Sequence, residues 1–390
     1  MIEMTQLLII GVVIGTGIAL GRSMKPLRLP AVTGYVFAGV LIGLFFKPSG
    51  ETELILSTVS SSALAFIAYT MGTSLNLREL KKMGGGVIIV ALTQAFGATL
   101  VTILTLTGLL GQPLELTLIL GAIASTTAPA ATLMIVRQYR ANGPFTRTLL
   151  PVVALDDAIA IIIFGFSQIA VASMVSGKAI AAGLFLEPLA TLGISAAIGF
   201  AGGLLLSYLA RKATDEDSLL AITLGVLFVT VGITEYFGYS ALLAGMVLGT
   251  VVTNLSSRNM AILNGIDRIS YSLVISFFVF AGMGLNLELL PRLGLVGLAY
   301  VVARSVGKIF GAWIGGVSTR REPAVRKYLG LALLPQAGVA LGLAASFDAG
   351  SPELAEKVRT IIVSAVIVFE LIGPPLAKIA LKLSGDIKEN

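Results

Sequence analysis

Thirteen apolar stretches, separated by polar residues or by glycine and proline, run through this chain at approximately 5–21, 30–46, 55–74, 85–109, 115–136, 148–175, 188–210, 218–235, 238–253, 269–287, 293–316, 328–347 and 359–379. Most have the ~17–25 residues that a helix needs to cross a bilayer. Lipid offers the backbone no hydrogen bonds, so a stretch of this length satisfies itself only by coiling. The expectation is an all-α membrane protein with thirteen transmembrane helices in the lipid bilayer. Composition agrees: 56% of the 390 residues are hydrophobic and only 12% charged, against ~25% charged in soluble domains. The first stretch, from Leu7 to Leu20, lacks a basic lead and a small-residue cleavage site, so it reads as a spanning helix rather than a signal peptide.

The net charge of +6 does not point to nucleic acid, because its distribution is that of a membrane protein. Twenty of the 27 lysines and arginines fall in one alternating set of loops and the C-terminus, and five fall on the other side. That bias predicts a cytoplasmic C-terminus and an N-terminus outside, across the cytoplasmic (inner) membrane. The remaining two, Arg304 and Lys308, lie inside the eleventh stretch. Cysteine and histidine are absent, which excludes disulfides, thiol chemistry and the usual near-neutral proton carrier. Proton chemistry must then use Asp, Glu, Lys or water.

An internal repeat shapes the expected topology. "MGTSLNLREL" at 71–80 recurs as "AGMGLNLELL" at 281–290, and "FAGVLIG" at 37–43 echoes "LAGMVLG" at 243–249. Both matches displace a segment by seven helices. An odd displacement reverses direction, giving inverted six-helix repeats around a linking seventh helix. Small-residue motifs also recur wherever helices pack closely, which is the alternative explanation. The fifth stretch carries Ser125, Thr126, Thr127 and Pro129 mid-membrane, and its counterpart, the twelfth, carries Pro335, Gln336 and Gly338. Proline deletes a backbone donor, so both segments are expected to kink or unwind near the bilayer centre.

Five ionisable residues lie within apolar stretches: Asp156, Asp157, Arg304, Lys308 and Glu370. Burial penalises the charged form of each, so protons can be exchanged here without histidine. The simplest arrangement gives one aspartate to Arg304 or Lys308, pairs Arg304 with Glu370 as packing, and leaves one acid over for an exchangeable occupant. A carboxylate near the hydroxyls of Thr126 and Thr127 and exposed carbonyls is a hard-oxygen set suited to a hard cation, with Asp157 as its metal ligand. The positive ends of the interrupted helices are expected to be offset by the acids.

At this point the chain resembles a known family. "LRLPAVTGYVFAGVLIG" (27–43), "STTAPAAT" (125–132), "ALDDAIAIIIFG" (154–165), "FFVFAGMGLNLELL" (277–290), "ARSVGKIFGAWIGG" (303–316) and "LLPQAGVALGLA" (333–344) look like the monovalent cation:proton antiporters, which include the NapA-type sodium exchangers and the membrane part of Kef-type potassium systems. The resemblance implies the sodium/proton antiporter fold: two crossed discontinuous helices in a core domain, a dimerisation domain, a homodimer and elevator-like alternating access. On that pattern residues 1–83 and 215–291 form the dimerisation scaffold, 84–175 and 292–390 the ion-transport core, and 176–214 the linker helix. It makes Asp157 the ion- and proton-binding carboxylate, Asp156 its lysine-paired neighbour, Lys308 that lysine, and Thr126 the hydroxyl at the break. The paired aspartates are associated with electrogenic exchange of two protons per sodium ion, although Arg304 offers a second cation. The chain ends at Asn390, so no nucleotide-binding regulatory domain is expected.

The sequence therefore points to a transporter rather than an enzyme: a sodium (or lithium)/proton antiporter with no cofactor beyond the transported Na⁺ and H⁺. A K⁺/H⁺ antiporter, a sodium-coupled organic-anion symporter and a cation channel are the alternatives.

Overall fold

The structure is a computed structural model that describes residues 6–46, 51–73, 75–78, 81, 85–176, 186–284, 294–347 and 351–387. The second copy of the repeated motif from 285 to 290, with Ser74, Glu79 and Leu80 of the first, lies outside the described residues. So do Lys47, Lys82, Lys178, Arg292 and Lys388. The described residues form helices without strands: α1 (Gln6–Ser23), α2 (Ala31–Phe45), α3 (Glu51–Thr73), α4 (Gly86–Leu104, prolonged by a π turn at Thr105–Leu109), α5 (Leu114–Ala124), α6 (Pro129–Gln138), α7 (Pro144–Ser176), α8 (Leu186–Ala210), α9 (Glu216–Tyr236), α10 (Ala241–Leu255), α11 (Asn259–Met283), α12 (Gly294–Ser318), α13 (Pro323–Ala332), α14 (Gly338–Ser346) and α15 (Pro352–Leu383). Among them, nine helical segments are long and apolar enough to cross a membrane, counting α5 with α6 as one, and α1, α2 and α10 are shorter apolar helices.

Two helices extend beyond their apolar stretches. α11 starts at Asn259 rather than near 269, because its first turns mix Asn264, Asp267 and Arg268 with the buried Ile262 and Ile266. Such an amphipathic start lowers mean hydropathy without weakening the helix. α15 starts at Pro352, a proline at the N-terminal position where its missing N–H costs nothing, and runs past Pro374 and Pro375 to Leu383.

The chain divides into two compact units, Met1–Lys82 with Thr191–Leu285, and Met83–Ala190 with Asn286–Asn390. In the first, α3 lies against α10 and α2 against α11. A Cβ on Gly72 would collide with the Met246 carbonyl and one on Gly249 with the Tyr69 carbonyl, so only glycine permits this approach. Phe66, Tyr69, Leu227, Leu248 and Ile266 form its buried core.

In the second unit the closest pairing is α4 with α12. The spacing Gly307-x-x-x-Gly311 presents a flat face, and a Cβ on Gly307 would sit 2.5 Å from the Gly97 carbonyl. Lipid supplies no hydrophobic force between helices, so backbone approach through small residues and dispersion holds them. That approach places Lys308, next to Gly307, within reach of Gln94 on α4.

Candidate functional site

Both proline-bearing stretches are interrupted outright rather than kinked. α5 stops at Ala124 and α6 resumes at Pro129, while α13 stops at Ala332 and α14 resumes at Gly338. Pro129 ends the first interruption, Pro335 and Gln336 lie within the second, and the two are tied together where the Ala128 N–H donates to the Pro335 carbonyl at 2.8 Å. Unwound backbone away from water must find partners for every carbonyl, and here most are named. Thr127 Oγ1 lies 3.3 Å from the Leu333 carbonyl, and Gln336 Nε2 donates to the Ile123 carbonyl at 3.0 Å. The Gln336 amide also reaches Thr126 Oγ1 at 3.1 Å and the Tyr300 hydroxyl at 3.0 Å.

The two cations of α12 close the remaining carbonyls. Arg304 spans both interruptions, donating from Nη2 to the Thr126 carbonyl at 2.6 Å and from Nη1 to the Leu334 carbonyl at 2.8 Å. Its guanidinium lies 4.2 Å from the centroid of the Phe369 ring, a cation–π contact. Lys308 Nζ donates to the Ser125 carbonyl at 2.6 Å and to Thr127 Oγ1 at 2.6 Å. It also donates to Gln94 Oε1 at 2.9 Å and forms an ion pair with Asp156 Oδ2 at 2.9 Å. Asp156 is completed by the Thr127 hydroxyl on Oδ2 and the Gln94 amide on Oδ1.

This arrangement corrects three expectations. Arg304 does not pair with Glu370, because its fork is taken by backbone carbonyls; Glu370 Oε2 has no hydrogen-bond partner and the residue is buried. The cations sit at the negative, C-terminal ends of α5 and α13, where they offset the helix dipole, instead of leaving the acids to offset positive ends. Only Asp156 approaches a positive end, through Thr127, which precedes the start of α6. The number of acids left unpaired is also two rather than one, since Arg304 pairs with no carboxylate.

Asp157 is the second unpartnered acid. It is 4% exposed and neither oxygen has a hydrogen-bond partner. The helical step of about 100° sends it away from the direction taken by Asp156. Thr126 does not reach it: its hydroxyl donates to the Ile123 carbonyl at 2.9 Å and receives Gln336. Thr127 serves Asp156. A buried carboxylate left without donor or cation is costly as an anion, so Asp157 suits an occupant that neutralises it. Gln94, the bridge between Asp156 and Lys308, is the site residue that the sequence did not single out; its signal was one amide inside the apolar run of α4.

Residues 10–382 match the family model described as "Sodium/hydrogen exchanger, transmembrane". The chain is 25% identical over 370 residues to KefB of Alkalimonas amylolytica, named as a proposed K⁺ efflux antiporter, covering 92% of this chain and 54% of that one. It is 25% identical over 281 residues to the iron transporter MagA of Paramagnetospirillum magneticum, covering 69% and 61%. It thus spans less than two-thirds of the length of either relative. Two structures of the sodium proton antiporter MjNhaP1 from Methanocaldococcus jannaschii, one of them at pH 8, share its fold with TM-scores of 0.75 and 0.77. Identity to both is 18%, and the likeness covers 99% and 100% of this chain and all of each of theirs. With the family pattern running from the first helix to the last, this chain belongs to the transmembrane sodium/hydrogen exchanger family.

Proposed function

We propose that the protein is a secondary antiporter that exchanges Na⁺ or Li⁺ for H⁺ across the cytoplasmic membrane by alternating access. The observation that carries this reading is Asp157: buried, with two unsatisfied oxygens, beside an Asp156 whose needs are met by Lys308, Thr127 and Gln94. Asp157 holds either a cation or a proton, and the empty anion is too costly to carry through a dry barrier, so the two fluxes are coupled. Thr126 and Thr127 lie at the adjoining interruption as oxygen donors. When Asp156 leaves Lys308, the buried ammonium loses its counter-ion and gives up a proton, which it takes back as the pair re-forms; with the proton exchanged at Asp157, two protons move per cation and the exchange is electrogenic.

Counting each interrupted pair as one crossing gives thirteen crossings. The inverted repeat is supported by packing: it relates α2 to α10 and α3 to α11, so it interchanges the α2–α11 and α3–α10 pairs, both of which meet through glycines. We assign the first compact unit, Met1–Lys82 with Thr191–Leu285, to the scaffold of a homodimer, and the second, Met83–Ala190 with Asn286–Asn390, to the ion-carrying core, so that the expected linker 176–214 is shared between them, with the N-terminus outside and the C-terminus cytoplasmic. The likeness to KefB favours a second reading in which K⁺ is the cargo of the same site.

The test is pH-gradient dissipation in proteoliposomes titrated with Na⁺, Li⁺ and K⁺, with and without a clamped voltage. Asp157→Asn is expected to abolish exchange, and full activity in that variant refutes the site. The ion giving the lowest KM decides between the two cargoes.

A further inference from the structure

Helix α7, which carries Asp156 and Asp157, begins without a cap of its own. Its first residue is Pro144 and the preceding position is Gly143, which has no side chain to accept an N–H of the first turn. The acceptor comes from the far end of the chain: Asp386 Oδ2 receives the Thr146 N–H at 2.6 Å and the Thr146 hydroxyl at 2.6 Å. The carboxylate fills the space that a side chain at 143 would take, since a Cβ there would collide with Asp386 Oδ1.

The same corner is held by two more contacts. Lys378 Nζ lies 4.8 Å from the centroid of the ring of Tyr139, which closes α6. Beyond α15, Gly385 turns the chain with φ of +82°, and Ile387 is buried. Further up α15, a Cβ on Gly373 would lie 2.7 Å from Pro335 Cα, so this helix packs directly on the second interruption. One helix and its tail thus touch the interruption in one place and the start of α7 in another.

We propose that Asp386 is a positioning residue for the exchange site: by tying the start of α7 to the end of α15, it fixes where Asp156 and Asp157 stand relative to Lys308 and the two interruptions. The inference rests on the exchange reading above. Asp156 is twelve residues from Pro144, about 18 Å along a helix that stays continuous through Pro151, so a shift at the first turn is carried toward the carboxylates. A site assembled from several helices loses cation affinity to such a shift before the fold is lost.

The experiment compares native protein, Asp386→Ala and the double variant Gly143→Ser with Asp386→Ala, measuring exchange in proteoliposomes and thermal midpoint in detergent. Serine at 143 supplies a local cap, so the double variant repairs the helix end while leaving the tail untied. The single variant is expected to raise the cation KM several-fold and displace the pH profile, with a smaller change in maximal rate. The double variant is expected to regain the native midpoint and keep the altered KM. A native KM and pH profile in the single variant, or in the double one, overturns the proposal. Native protein without cation-dependent proton flux overturns both this inference and the exchange reading, whereas active native protein with an unaltered double variant overturns this inference alone.

Discussion

Lys308 Nζ lies 2.9 Å from Asp156 Oδ2, with both side chains fully buried. Separated by 152 residues, they are brought together by the glycine face of α12 on α4 and by the interruption after α5. Removing one partner of a buried pair leaves an uncompensated charge, which costs about 3–5 kcal/mol. Lys308→Ala should therefore lower the thermal midpoint sharply, and the Lys308→Ala/Asp156→Ala double variant should recover part of the loss. In proteoliposomes, Lys308→Ala is also expected to change the charge moved per turnover; an unchanged response to membrane potential removes lysine from the mechanism.

Gln94 receives Lys308 on its carbonyl oxygen and donates to Asp156 from its amide. Gln94→Leu keeps the volume and removes both bonds, leaving a buried carboxylate oxygen short of a donor. The expected cost is about 1–3 kcal/mol, read as a lower midpoint, and exchange is expected to slow. Gln94→Glu should behave differently, because it places a second acid against Asp156 while keeping an acceptor for Lys308. A native midpoint in Gln94→Leu contradicts the bridging role.

Arg304 works as a fork, one nitrogen to each interruption. A lysine provides a point charge and cannot span the Thr126 and Leu334 carbonyls in the same geometry. Arg304→Lys is expected to lose stability and exchange rate, with Arg304→Met losing more, as carbonyls of both breaks are left without donors. Thermal midpoint and transport rate, measured together, check the order native, lysine, methionine.

Asp215 caps α9 outside the spanning segments. It accepts the Ser218 N–H at 2.7 Å, the Thr214 hydroxyl at 2.7 Å and the Ser218 hydroxyl at 2.9 Å. These donors, the Ser218 N–H foremost, hold its carboxyl down at about 2. A carboxyl held below its unfolded value near ~3.9 adds stability above that value and loses it as pH falls toward the folded one. The midpoint gap between native protein and Asp215→Ala should be full near neutrality and shrink from about pH 4 to pH 2. A constant gap across that window removes the charge from the account.

The sequence disclosed the site unevenly, for physical reasons. Asp156, Asp157, Lys308 and both prolines announce themselves because a charge or a missing N–H inside an apolar run demands compensation. Arg304 was visible too, yet its partners were not, since backbone carbonyls are present at every residue and leave no mark in the sequence. Pairing it with Glu370 followed from the repeat, whose offset projects the aspartates to within a turn of Glu370, and from opposite charge. Gln94 escaped notice because an uncharged amide interrupts hydropathy only slightly. The start of α11 was missed because its polar and apolar residues alternate by helical face, which a hydropathy average erases.

The Ala128–Pro335 hydrogen bond has a consequence for how this region can move. One interruption lends the other its amide, so neither strand can rewind into a continuous helix without stranding a polar group of its neighbour away from water. The pair is locked against local repair, and any displacement within this unit must carry the knot whole, with Lys308 and Arg304 still fastened to it.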